Sequence, residues 1–271
     1  SIPELPEREI KAVVLNKLEA QLGKSADSLA VDYVVVSGGT SENGGAARAP
    51  SELYAYYTRL ESVRERIALL EEAKLRPFSI ECSMHATLEA ARFNGYIPED
   101  GSCLLVDVGD SHTSLGLVSR GELVLLNVIP AGAGAINQSL MEQFELSFQD
   151  SELCKLACPL DKDEGSVADE KTKLIEHGYF QIILGIHDTA NYLKAARKSQ
   201  AIGSLILTGG GLLKTGAAQL IQESLNLPVV VMDPLRKIQI YSDSAGQSRE
   251  DLPQIGPMLQ VAVGLALRGV A

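Results

Sequence analysis

An aspartate at the end of an apolar strand, with glycine two positions on, can hold a hydrated cation against a phosphate. Leu104 to Val108 runs apolar into Asp107-Val108-Gly109, a polar turn follows at Asp110-Ser111-His112, and a second strand leaves with Thr113. Such a hairpin tip offers one fixed carboxylate and several backbone N–H groups, a set that suits a phosphate with its metal ion. A second glycine cluster, Thr208-Gly209-Gly210-Gly211, follows another apolar strand. Two glycine-tipped strands so far apart in the chain point to one cleft built from distant segments. Each feature alone also has a plainer reading. Asp107 fits a hairpin residue bonded to its own backbone, and the triple glycine fits a strand-to-helix turn.

Other reactive groups are assigned no chemistry. Ser111 has no His/Asp arrangement for nucleophilic catalysis, and His112 reads as an exposed turn residue. His85, His177 and His187 are scattered over helices. Cys82 and Cys103 fall in apolar strand-like runs and read as small buried hydrophobes. Cys154 and Cys158 lie one helical turn apart, with no histidine at metal spacing, so no zinc site is expected.

The elements that must carry these residues follow from periodicity. Apolar residues recur at helical spacing from Glu7 to Leu22. Val31 to Val36 predicts a strand, and the Gly/Ser/Asn-rich run 38–49 predicts a mobile loop. Leu53 to Thr58 alternates as a second strand, with Tyr54, Tyr56 and Tyr57 either packing a helix or forming a partner surface. A helix over 60–75 ends at Pro77, a third strand is expected over Phe78 to Cys82, and a helix over Met84 to Phe93. These make a small αββαβα unit. The turn-rich Gly95 to Gly101 predicts a boundary, giving domains 1–95 and 96–271.

The second domain opens with a meander, Leu104 to Val108, Thr113 to Ser119 and Leu123 to Ile129. Ala131-Gly132-Ala133-Gly134 leads into a helix over Ile136 to Phe144. A short helix, Phe148 to Ala157, carries Lys155. An acidic loop over 159–168 precedes a long helix, 170–198. The strand Leu205 to Leu207 delivers the triple glycine, and a helix over 213–225 leads to the strand Val229 to Val231. Gly256 to Arg268 reads as a final apolar helix. Antiparallel strands followed by alternating helices and strands define an α/β class with a mixed sheet.

The formal net charge of -11 disfavours nucleic acid and anionic membranes as partners. No apolar run approaches the roughly 20 residues that span a bilayer, so no direct membrane insertion is expected. Free thiols and no secretion signal point to the cytoplasm. The start, Ser1-Ile2-Pro3, lacks an initiator Met and reads as a trimmed or processed chain.

Asp107-Val108-Gly109 to Thr113 resembles the second phosphate hairpin of the actin-like ATPase superfamily, Thr208-Gly209-Gly210-Gly211 its adenosine motif, and Val261 to Gly269 its closing helix. Within that superfamily, Gln254-Ile255-Gly256-Pro257, the segment Ile129-Pro130-Ala131-Gly132 and the helix Glu152-Leu153-Cys154-Lys155 resemble the FtsA-like type IV pilus assembly family of PilM. The resemblance implies an actin-like ATPase fold, a ribonuclease H-like mixed sheet, with the αββαβα unit as an insert-type subdomain at the N-terminus. It implies that ATP or ADP binds with Mg²⁺ through Asp107, Gly109, Ser111, Thr113, Gly132, Lys155, Gly209, Gly210 and Gly211, with Asp107 holding the metal. It assigns no catalytic residue and at most weak ATPase activity.

The same resemblance implies a cytoplasmic scaffold of a type IV pilus or type II secretion platform, peripheral to the inner membrane through its partners. Those are the cytoplasmic tail of a single-pass PilN-like protein, the pilus motor ATPases and self-association. An ATP-dependent sugar- or acetate-kinase-type enzyme and an FtsA-like filament protein are the alternatives. Two departures are expected to weaken nucleotide binding. The first strand-Asp-x-Gly hairpin of the superfamily does not occur before Asp107, so that subdomain is read as missing. Asp110 also sets a second carboxylate beside the phosphates.

Overall fold

The computed structural model describes residues 7–36, 52–158, 169–196, 202–213, 216–239 and 255–268. The loop 38–49 and the acidic loop 159–168 lie outside the described residues. The chain divides into two compact units, Ser1–Ile80 and Glu81–Ala271.

In the first unit, helix α1 (Glu7–Leu22) lies against an antiparallel pair, β1 (Leu29–Val36) and β2 (Glu52–Arg59). Ile10, Val14 and Leu18 recur every four residues, so they form one stripe. That stripe is buried with Leu29 and packs on Val31, Tyr33, Leu53 and Ala55. Tyr33 pairs with Ala55, whereas Val34 pairs with Tyr54 and Asp32 with Tyr56. Tyr54 and Tyr56 therefore point to the other face of the pair. Helix α2 (Leu60–Glu72) follows and contains no buried residue.

The third strand expected over Phe78 to Cys82 does not form; residues 75–82 are irregular. Phe78 is 88% exposed and Ile80 44%, so among the described residues the apolar run has neither a partner strand nor a core face to fix it. Pro77 also withholds a ladder donor. The unit is thus αββα. The next helix, α3 (Ser83–Phe93), belongs to the second unit. The division falls at Ile80/Glu81, upstream of the expected boundary at Gly95.

The second unit is built on a five-stranded sheet ordered β5-β4-β3-β6-β7. Its strands are β3 (Ser102–Val108), β4 (Thr113–Ser119), β5 (Glu122–Ile129), β6 (Ile202–Thr208) and β7 (Val229–Val231). Strand β3 is central: β4 pairs with it antiparallel and β6 parallel. Strand β4 is buried throughout, as expected when helices cover both faces. Helix α3 reaches the sheet through Met84, which lies beside Gly116. Helix α6 (Glu170–Ala196) buries Ile175, Tyr179, Ile182, Ile186 and Leu193 along one stripe. It reaches β5 where Asn127 donates to Thr189 Oγ1 at 3.0 Å.

Helices α4 (Gly134–Phe144) and α5 (Phe148–Ala157) follow the meander, and α7 (Ala217–Leu225) follows β6. The helix expected over 213–225 begins later, at Ala217, after Gly216 with a φ of +88°; a 3-10 turn over Gly210–Leu212 follows β6. The closing helix α8 (Gln260–Arg268) packs on α3 at Gly264, where an added Cβ would strike the carbonyl of Ala86. No helix among the described residues is long and apolar enough to cross a membrane.

Candidate functional site

The sheet register makes the site. Asp107 on β3 pairs with Thr208 on β6 across a parallel ladder. The hairpin tip and the triple glycine therefore emerge side by side at the carboxyl ends of adjacent strands, where open α/β sheets place ligand crevices.

Glycines lock these segments together. An added Cβ on Gly209 would strike the Val108 backbone and the Asp107 carboxylate, and φ there is +103°. On Gly211 it would meet the Val108 carbonyl oxygen at 2.9 Å. On Gly132 it would strike the Asp110 carbonyl and, at 2.6 Å, the His112 nitrogen. On Gly109 it would meet the His112 carbonyl oxygen at 2.8 Å. The resemblance implies that the triple glycine serves adenosine. The structure shows that Gly209 and Gly211 are small because the loop lies directly on the hairpin. Gly210 is the most open of the three, meeting among the described residues only the Met258 side chain, at 3.3 Å. The segment before α8 joins the same knot: Gly209 N–H and the Thr208 hydroxyl both donate to the Pro257 carbonyl, at 2.9 and 3.2 Å.

Asp107 is half-buried, and its Oδ1 accepts from Gln260 Nε2 at 3.0 Å. Burial pushes its pKa up; the Gln260 hydrogen bond and the nearby His112 pull it down without cancelling that rise. Sequence reasoning does not find Gln260, because no local spacing marks a contact across 153 positions.

The hairpin tip is exposed at Asp110, Ser111 and His112. The Ser111 hydroxyl lies 3.2 Å from His112 Nδ1. Thr113 is fully buried and donates its hydroxyl to the Ala131 carbonyl at 2.7 Å, so it fastens the hairpin to the following turn. Ala133 N–H donates to the Gly109 carbonyl and Gly134 N–H to the Asp110 carbonyl, at 2.9 and 2.7 Å. The start of α4 is thereby occupied by the hairpin's own oxygens. The Asp110 carboxylate lies over the same turn, where an added Cβ on Gly134 would strike it. It is held against the positive end of α4, which favours an anion there.

Lys155, which the resemblance places among the nucleotide-binding residues, is not an open cation. It is 6% exposed, and its Nζ contacts Glu152 Oε2 at 2.8 Å. Asn137 donates to the same oxygen. Burial alone would raise the Glu152 pKa, but the hydrogen bonds from Lys155 and Asn137 and the lysine charge outweigh it and hold the carboxyl low. Tyr179, fully buried on α6, donates to the Gly211 carbonyl at 2.9 Å. Burial, with the Glu152 charge second, pushes its phenol pKa up. Tyr179 thus supports the glycine loop from behind.

The donor set fits a magnesium nucleotide in part. Asp107 offers the hard oxygen that Mg²⁺ prefers. Gly210 and Gly211 leave backbone N–H groups without a protein acceptor among the described residues. No group of three or more His, Cys, Asp or Glu that could hold a metal exists among those residues.

The sequence matches the family described as type IV pilus assembly protein PilM over residues 4–270. Among solved structures, a chain of the PilM–PilN type IV pilus biogenesis complex is similar at a TM-score of 0.79 and 22% identity, covering 100% of this chain and 75% of that one. MreB5 of Spiroplasma citri bound to ADP is similar at a TM-score of 0.52 and 13% identity, covering 78% and 65%. The same protein bound to AMPPNP gives 0.51 and 15%, covering 76% and 64%. No curated protein matches. The solved structures support the actin-like fold of the chain.

Proposed function

This chain belongs to the type IV pilus assembly protein PilM family, and we propose that it is an actin-like scaffold that binds the cytoplasmic tail of a PilN-like membrane protein. The family match over residues 4–270 carries this reading. It also displaces the sugar-kinase and cell-division alternatives. The similar PilM–PilN complex supplies the partner class. Contacts with pilus motor ATPases, self-association and a location on the inner membrane through these partners complete the proposal.

In it, ATP or ADP is a structural ligand and switch. Asp107 would hold Mg²⁺ or its waters, Gly109, Ser111 and Gly210 would face phosphate and nucleoside, Gly209 and Gly211 would set the loop on the hairpin, and the metal would screen the phosphates from Asp110. Lys155, Thr113 and Gly132 shape the walls without reaching the ligand as free groups. The S. citri relative with bound ADP supports this class of ligand. The carrying observation is the Asp107–Thr208 register, which joins the two tips.

Calorimetric titration with the tail peptide of a PilN-like protein is expected to show saturable binding, and no heat at any concentration would sink the scaffold reading. Mg-ATP at a hundred times its dissociation constant is expected to stabilise the protein by about 2.7 kcal/mol. No thermal shift at millimolar Mg-ATP would remove the nucleotide from the proposal.

A further inference from the structure

Gln260 is a costly residue that packing does not require. It opens α8, is 5% exposed, and leaves its Oε1 buried without a partner among the described residues. An orphaned buried amide oxygen is destabilising, and a leucine of similar volume would fill the space without it. What the glutamine supplies is its Nε2 hydrogen bond to Asp107 Oδ1 at 3.0 Å. The donor is mounted rigidly. Helix α8 is pressed on α3 at Gly264, and at its far end Arg268 Nε lies 3.2 Å from Glu81 Oε1. The Pro257 carbonyl just upstream accepts from Gly209 and Thr208.

We infer that Gln260 is a positioning residue for Asp107: from the closing helix it holds Oδ1, so that the carboxylate's remaining oxygen is presented to a divalent cation on the nucleotide phosphates. This rests on the nucleotide reading above. Outer partners that orient a metal-binding carboxylate contribute heavily to cation affinity, and losing one costs about 10–100-fold.

The test uses the full chain and ADP bearing a fluorescent N-methylanthraniloyl group, titrated with Mg²⁺ and again with EDTA. The unchanged protein is expected to bind more tightly with Mg²⁺. Gln260→Leu is expected to lose about tenfold or more with Mg²⁺ and to keep its EDTA affinity, so that the magnesium-dependent ratio collapses. An equal fall in both conditions would mark a merely structural residue and overturn the inference. An unchanged ratio would overturn it too while leaving nucleotide binding intact. Failure of the unchanged protein to bind in either condition overturns the nucleotide reading and the inference with it. If Gln260→Leu does not fold, Gln260→Asn, which keeps an amide but shortens its reach, is read by the same ratio.

Discussion

At the scale of single residues, two acids in one hairpin behave differently. Asp107 is half-buried and bonded, whereas Asp110 is exposed and laid over the first turn of α4. Asp110→Asn removes an anion beside the proposed phosphate site and also a favourable charge at a helix start. The first effect is worth about 1 kcal/mol at a 4 Å separation in water, and the second about 0.3–1 kcal/mol. Asp110→Asn is therefore expected to bind ADP roughly fivefold tighter in EDTA while melting slightly lower; weaker EDTA binding would count against the assigned position. The pair Glu152–Lys155 gives a pH prediction. Glu152 is held below its unfolded pKa of about 4.3, so its contribution is present above that value and lost as pH falls through the lower folded one. Denaturant unfolding at acid pH is expected to show this loss in the unchanged protein and less of it in Lys155→Met. Asp107 and the triple glycine are legible in the sequence because strand ends and glycine turns leave local marks. The Glu152–Lys155 pairing is half legible: their spacing puts them on one helix face, but nothing local says that the ammonium is buried.

At the scale of elements, the helices and the meander follow from periodicity, and the failures have one cause. A run such as Phe78 to Cys82 has strand composition, yet a strand needs a partner, and no periodicity reports whether one exists. The 3-10 turn at Gly210–Leu212 is similarly hidden, since its geometry comes from the loop lying on Val108. The closing helix is where sequence and packing agree: its small residues announce a close contact, and Gly264 makes one. A methyl added at Gly264 meets backbone, which cannot give way as a flexible side chain would. Gly264→Ala is accordingly expected to destabilise by about 1–3 kcal/mol, the usual cost of overpacking. Urea unfolding measures it, and a midpoint equal to that of the unchanged protein would contradict the α3–α8 packing.

At the scale of the whole molecule, the question is which stretch of chain separates the two units. Composition favours Gly95 to Gly101, because turn residues cluster there, but the units divide at Ile80/Glu81. Turn residues mark a change of direction, whereas a division depends on which core a helix joins. Helix α3 buries Met84, Leu88, Ala90 and Ala91 in the second unit. The residues from Ala73 to Ile80 are irregular and nearly all exposed, so the backbone there has little to hold it. Lys74 is exposed with a φ of +58°, and Arg76 precedes Pro77, which blocks trypsin. Cleavage after Lys74 is therefore expected early in limited trypsin digestion, leaving a fragment from Leu75 that contains the whole sheet and both glycine tips. That fragment is expected to keep its circular dichroism and to bind ADP as the intact chain does, because every residue assigned to the cleft lies beyond the cut. Mass spectrometry of the digest identifies the fragment. Its unfolding on cleavage, or protection of Lys74 until the sheet itself is digested, would show that the division is not where the cores place it.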